Sequence, residues 1–187
     1  MTASGNEASV LVLGLGNVLC GDDGLGVAAV ERFRLRYRIS EAVRALDGGT
    51  LGLALLSHIR STDDVILVDA VGAAGPPGTF VRLEGDEVAP ELQARLSCHQ
   101  IGVADLLNAL AVLDAYPRRL ILLGLVPETL ELGLALSPPI ENRLAELVER
   151  IADEVRRLGH DLIPNRPEQS ANARSGDRAA RALGLSR

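Results

Sequence analysis

The 187-residue chain contains no lysine and no tryptophan, and it has only two cysteines, two tyrosines and two phenylalanines. All nineteen of its basic residues are arginine, so neither a P-loop lysine nor a Schiff-base lysine is available. With aromatics at 2%, platforms for stacking bases are scarce, and a net charge of −6 disfavours a general affinity for nucleic acid or anionic membrane. Cys20 and Cys98 are too few for a disulfide scaffold and lack C-x-x-C spacing, so each reads as a small buried hydrophobe. No window offers about twenty unbroken apolar residues. The opening MTASGNEAS has neither a basic nor an apolar leader region, which leads us to expect a soluble, cytoplasmic protein without membrane insertion. Nucleophile templates are also missing: there is no G-x-S-x-G elbow and no H-E-x-x-H helix. Cys98 stands beside His99, but neighbours in sequence need not face one another.

What is present is a 47% hydrophobic chain rich in Leu, Val, Ala and Gly, enough for one compact core. Short apolar runs alternate with stretches of helical period, the pattern of an α/β fold on a mostly parallel sheet. Strands are expected at Val10 to Leu15, Ala42 to Leu46, Asp64 to Asp69 and Leu120 to Val126. Gly78 to Leu83 alternates behind the turn GPPG and reads as an edge or antiparallel strand. Helices are expected at Leu25 to Arg38, about Thr50 to Arg60, Glu87 to Leu96 and Ile101 to Leu113. A last helix has Ser137 as N-cap and Pro138 at its first position, and runs to about Leu158 before the stop at Gly159. The expected architecture is a three-layer sandwich, a twisted sheet of about five strands with helices on both faces. Residues 1–9 read as a flexible lead-in, 10–164 as a single α/β domain, and 165–187, which lose the apolar period, as a disordered tail.

Five acidic or imidazole residues fall at strand ends or in loops: Asp22 and Asp23 after the first strand, Asp47 where the second ends, Asp69 where the third ends, and His99 in the loop before the Ile101 helix. In an open α/β sheet the carboxyl ends of parallel strands share one edge, where ligands bind, so all of these are expected at one cleft. A dinucleotide would use Gly14, Gly16 and Asp47, but the third fingerprint position is Leu19, and Asp22 and Asp23 would repel a pyrophosphate by about 1 kcal/mol or more. A metal uses the same residues constructively. Asp23, Asp69 and His99 offer oxygen and nitrogen ligands to a borderline divalent ion and leave positions open for an outside ligand. Taken singly, each aspartate is an ordinary turn or cap residue; together at one edge they would repel without a cation. Asp22 could instead cap the following helix or support the loop.

The stretches LVLGLGNVLCGDDGLG (Leu11 to Gly26), LDGGTLG (Leu46 to Gly52), VDA at Asp69, SCHQIGVADLL (Ser97 to Leu107) and GLVPETLELGLALSPPI (Gly124 to Ile140) resemble, in order and spacing, the hydrogenase maturation proteases. The resemblance spans about Val10 to Pro164. It implies an endopeptidase that removes the C-terminal extension of a nickel-iron hydrogenase large-subunit precursor. It places the family's metal and catalytic positions on Asp23, Asp69 and His99 and leaves the nucleophile unassigned. The nickel is expected to arrive in the substrate, and other divalent metals can occupy the same set. Some members carry Glu where this chain has Asp23, which keeps the charge on a shorter arm. Gly16, Asn17, Asp22, Asp47 and Gly48 are assigned to substrate binding or loop support, the glycines admitting a partner's backbone. Two alternatives stand beside this reading: a non-cleaving chaperone for nickel-loaded large subunit, and a nucleotide-binding α/β protein.

Overall fold

The computed structural model describes residues 9–60, 62–93 and 98–165, with the backbone alone at 93 and 98–101. Three strands are buried along nearly their whole length: β1 (Val10–Leu15), β4 (Asp64–Ala70) and β6 (Arg119–Leu125). Apolar side chains on both faces demand cover on both faces, so these three form the centre of the sheet. The order is β3-β1-β4-β6-β5, with β3 (Val43–Gly49) at one edge and β5 (Phe80–Glu84) at the other. All neighbours are parallel except β5, which runs antiparallel to β6, as its alternating pattern and its GPPG turn led us to expect. The strands expected second and third thus flank β1, and the five-stranded α/β sandwich is as expected.

Alternate residues of each central strand feed two separate cores. Val10, Val12, Ile66, Val68, Ile121 and Leu123 pack with α1 (Leu25–Arg36) and α5 (Pro138–Arg157). Leu11, Leu13, Val65, Leu67, Leu120 and Leu122 pack with α2 (Leu56–Ile59), α3 (Val88–Gln93) and α4 (Cys98–Val112). In α5 the buried Ile140, Leu144, Leu147, Val148, Ile151 and Val155 recur at 3–4 spacing, the stripe a half-buried helix needs.

Several boundaries shift, β3 running on to Gly49 in place of Leu46 and β5 starting at Phe80 in place of Gly78, and three differences have a clear physical reason. The first helix stops at Arg36 because Tyr37 turns extended, and β2 (Tyr37–Arg38) pairs antiparallel with β7 (Ile163–Pro164). That pairing depends on residues more than a hundred positions away. The expected helix from Thr50 is reduced to a 3-10 turn, Gly52–Leu55, and the single turn of α2, because Gly49 and Gly52 take positive φ and the chain enters regular helical geometry only beyond them. Finally, α4 starts at Cys98, three residues before the apolar period becomes visible, so His99 lies in its first turn and not in a preceding loop.

The described chain is tied at both ends. Ser9 donates its N–H to the Ala42 carbonyl, and the Asn165 side-chain amide donates to the Leu35 carbonyl at 2.8 Å. The rest of the expected lead-in and tail lies outside the described residues, as does Leu96 of the expected Glu87 to Leu96 helix. Among the described residues no helix is long and apolar enough to cross a membrane.

Candidate functional site at the carboxyl edge of the sheet

Leu15, Gly49 and Ala70 end their strands at the same edge. Between β1 and α1 the chain makes a 3-10 turn, Gly21–Gly24, whose residues are all buried and which packs against β4. Small residues make that approach possible. A Cβ on Gly26 would overlap the carbonyl oxygens of Val68 and Leu15, and one on Gly14 would overlap the Gly26 carbonyl. Gly16, at φ +118°, abuts the Asp23 carbonyl in the same way. The close approach that these glycines allow is therefore made by the chain's own backbone, with α1 seated directly on β1 and β4.

Asp23 is buried in this turn and its Oδ2 accepts the Asn17 N–H at 2.9 Å, so Asn17 acts through its backbone to fix the carboxylate. The Asn17 side chain accepts the Leu19 N–H and shapes the loop locally. Asp69 is fully buried near the end of β4, where its Oδ1 accepts the Ala70 N–H at 2.8 Å. Two buried carboxylates thus stand at this edge, Asp69 near the end of β4 and Asp23 in the turn that packs against β4, each accepting from a backbone donor. Removing an ionised carboxylate from water costs several kcal/mol unless its surroundings compensate, so a pair kept there is unusual for a purely structural edge.

The other predicted positions separate. Asp47 is exposed at the end of the edge strand β3, opposite Gly14 in register, beyond which the pairing slips so that Leu15 faces Gly49. Gly48 is buried beneath the Leu13 side chain. Asp22 is fully buried and points its carboxylate at the 128–137 loop. Its Oδ2 accepts the N–H groups of Glu128 and Thr129 and the Ser137 hydroxyl, and its Oδ1 accepts the Ser137 N–H at 2.6 Å. Ser137 is the N-cap residue of α5, as expected, but its hydroxyl serves Asp22 instead of the helix. A single bridge, Cys20 to Gly133, continues the same junction. Cys20 is a free thiol only partly buried.

The backbone of His99 sits in the first turn of α4. Gly102, one turn on, meets Gly52 so closely that an added Cβ on either would lie 3.1 Å from the other's Cα, which fixes the start of α4 against the turn that follows β3. The side chains of Cys98 and His99 lie outside the described residues. Among the described residues no three His, Cys, Asp or Glu side chains form a group able to hold a metal ion. The stretch Gly124 to Ile140 carries part of the family resemblance, but no local pattern assigns the 127–137 loop to this edge, since Asp22, Leu19 and Gly21, which hold it there, are distant in the chain.

An open, mostly parallel α/β sheet with an acidic carboxyl edge and no complete dinucleotide fingerprint defines the class. Comparison with known proteins then resolves it. Residues 27–154 match the model of the hydrogenase maturation protease family. The chain is 38% identical to hydrogenase 2 maturation protease of Escherichia coli strain K12 over 156 residues, covering 83% of this chain and 95% of that protein. It is 38% identical to the hydrogenase expression/formation protein HupD of Thiocapsa roseopersicina, over 88% of this chain and 75% of that one. Among solved structures, the hydrogenase maturating endopeptidase HybD from E. coli superposes with a TM-score of 0.80 over 83% of this chain and 97% of that chain. The [NiFe] hydrogenase maturation protease HybD from Thermococcus kodakarensis, 29% identical, gives 0.63 over 78% of this chain and 97% of that one. The chain belongs to the hydrogenase maturation protease family and is a peptide-bond hydrolase.

Proposed function

We propose that this protein removes the C-terminal extension of a nickel-iron hydrogenase large-subunit precursor in the cytoplasm, docking through Asp23, Asp69 and His99 on nickel already held by that substrate. The observation that carries the reading is the pair of buried carboxylates at one edge of the sheet, Asp69 near the end of β4 and Asp23 in the turn after β1 that packs against β4. The first turn of α4, which bears His99, is packed through Gly102 against the turn after β3 at the same edge. Two carboxylates and an imidazole supply oxygen and nitrogen donors suited to a borderline divalent ion. As three ligands they leave the coordination shell open, so a metal brought by the substrate completes it and free metal need not bind tightly. Recognition of loaded substrate is thereby coupled to cleavage. Asn17 orients Asp23, Gly16 admits the turn, Asp22 holds the neighbouring loop, and Asp47, carried on the strand end that Gly48 seats against Leu13, stands at the adjoining rim.

The test is to mix purified protein with nickel-loaded and nickel-free precursor and read product mass by mass spectrometry. Shortening of the loaded form alone supports both the cleavage and its metal gate. Binding of the loaded form without shortening favours a chaperone. Equal cutting of both forms removes nickel from the reading.

A further inference from the structure

We propose that the carboxyl-edge loops form a preorganised docking surface for an apolar, net basic segment of the hydrogenase large subunit, an inference that rests on the substrate proposed above. Three loops surround Asp23 and Asp69, and each carries large apolar side chains facing solvent: Val18 and Leu19 after β1, Leu51 and Leu53 after β3, and Leu132 and Leu134 after β6. Leu132 and Leu134 are 87% and 84% exposed. Apolar groups gathered at one place on a surface mark an interaction site, whereas scattered ones need no explanation. Other exposed apolar residues, Leu35, Val112 and Ile163, sit toward the opposite end of the sheet.

These leucines are displayed on a fixed backbone. The Asp22 carboxylate holds the loop at Glu128, Thr129 and Ser137. Gly133, between the two leucines, donates its N–H to the Leu19 carbonyl and accepts the Gly21 N–H at 2.8 Å. A loop tied down this firmly could have turned its leucines inward, and holding them outward in advance reduces the ordering cost of binding.

Charge narrows the occupant. Residues 16–26, 47–53 and 127–137 contain Asp22, Asp23, Asp47, Glu128 and Glu131 but none of the nineteen arginines of the chain. Asp47, Glu128 and Glu131 face solvent. A segment that buries its apolar side chains among these leucines is therefore favoured when its own charges are positive, and an acidic one is repelled.

The experiment measures KM and kcat for cleavage of nickel-loaded large-subunit precursor by the wild-type chain, Leu132→Ser/Leu134→Ser, Glu131→Arg and, as a control at the opposite end, Leu35→Ser. Thermal unfolding verifies that each variant is folded. The double serine variant is expected to raise KM about tenfold with kcat unchanged. Glu131→Arg is expected to raise KM and to make it less sensitive to salt, while Leu35→Ser matches wild type. A KM for the double variant within about twofold of wild type would overturn the docking surface while leaving the protease intact. If wild type binds precursor without cutting it, the protease reading fails, and the same variants tested by dissociation constant decide the surface. If wild type neither cuts nor binds, both fail.

Discussion

Asp22 and Ser137 are 115 positions apart, yet they exchange two hydrogen bonds, the Ser137 N–H to Oδ1 at 2.6 Å and its hydroxyl to Oδ2 at 2.8 Å. Through this contact the turn after β1 holds both the first residue before α5 and the loop that leads to it. One buried carboxylate thus fixes the wall beside Asp23.

Replacing Asp22 with Ala leaves three buried or partly buried N–H donors and a hydroxyl without their acceptor. The expected cost is about 3 kcal/mol, seen as a melting temperature lowered by roughly 10 °C. Processing should fall as well, because the loop bearing Leu132 and Leu134 loses its anchor. A melting temperature equal to wild type would contradict the role of this carboxylate.

Asp23→Asn, Asp69→Asn and His99→Ala should each reduce processing on the order of 10²-fold or more with the fold largely retained. The asparagine variants keep an oxygen able to accept from Asn17 or Ala70 while losing the charge that a metal needs. Circular dichroism together with the precursor assay checks both halves. Normal rates in all three would remove the proposed ligand set.

Asp23→Glu tests the reach of this carboxylate. The carboxylate survives, but its longer arm must fit a site only 3% exposed. The variant should process precursor at a rate between wild type and Asp23→Asn; a rate no better than Asn would show that reach, and not charge alone, is set by the turn.

Gly26→Ala should destabilise the protein by about 3 kcal/mol, since the added methyl meets the carbonyls of Val68 and Leu15 and must lift α1 from the sheet. Denaturant unfolding measures this directly. An unchanged midpoint would mean that α1 is free to shift.

Arg82→Ala tests the far edge. Hydrogen bonds donated to Glu154 and Glu84 hold the Arg82 guanidinium above its ordinary pKa, and Glu154 is buried, accepting from Arg82 Nε at 2.7 Å. Losing this partner should cost about 2 kcal/mol without changing cleavage kinetics, because the pair lies on β5 and α5 away from the carboxyl edge. A changed kcat would link the two ends of the molecule.

Much of this was legible in the chain itself. Val10–Leu15, Asp64–Ala70 and Arg119–Leu125 are apolar on both faces, and a strand of that kind can only be central, so the sheet, its helical layers and the shared edge of Asp23 and Asp69 follow from local pattern and from the rules of parallel connection. Ser137 with Pro138 likewise marked the start of α5 without help from distant residues. What only the tertiary structure decided depends on contacts far apart in sequence. The extended turn at Tyr37 answers to Pro164, and the outward leucines of the 127–137 loop answer to Asp22 and Gly21. Asp22 and Asp23 are the same residue type side by side, and no local rule separates them. The fold does so, because the donors that converge on Asp22 come from residues 128, 129 and 137, while Asp23 accepts from Asn17 in the turn that packs against β4.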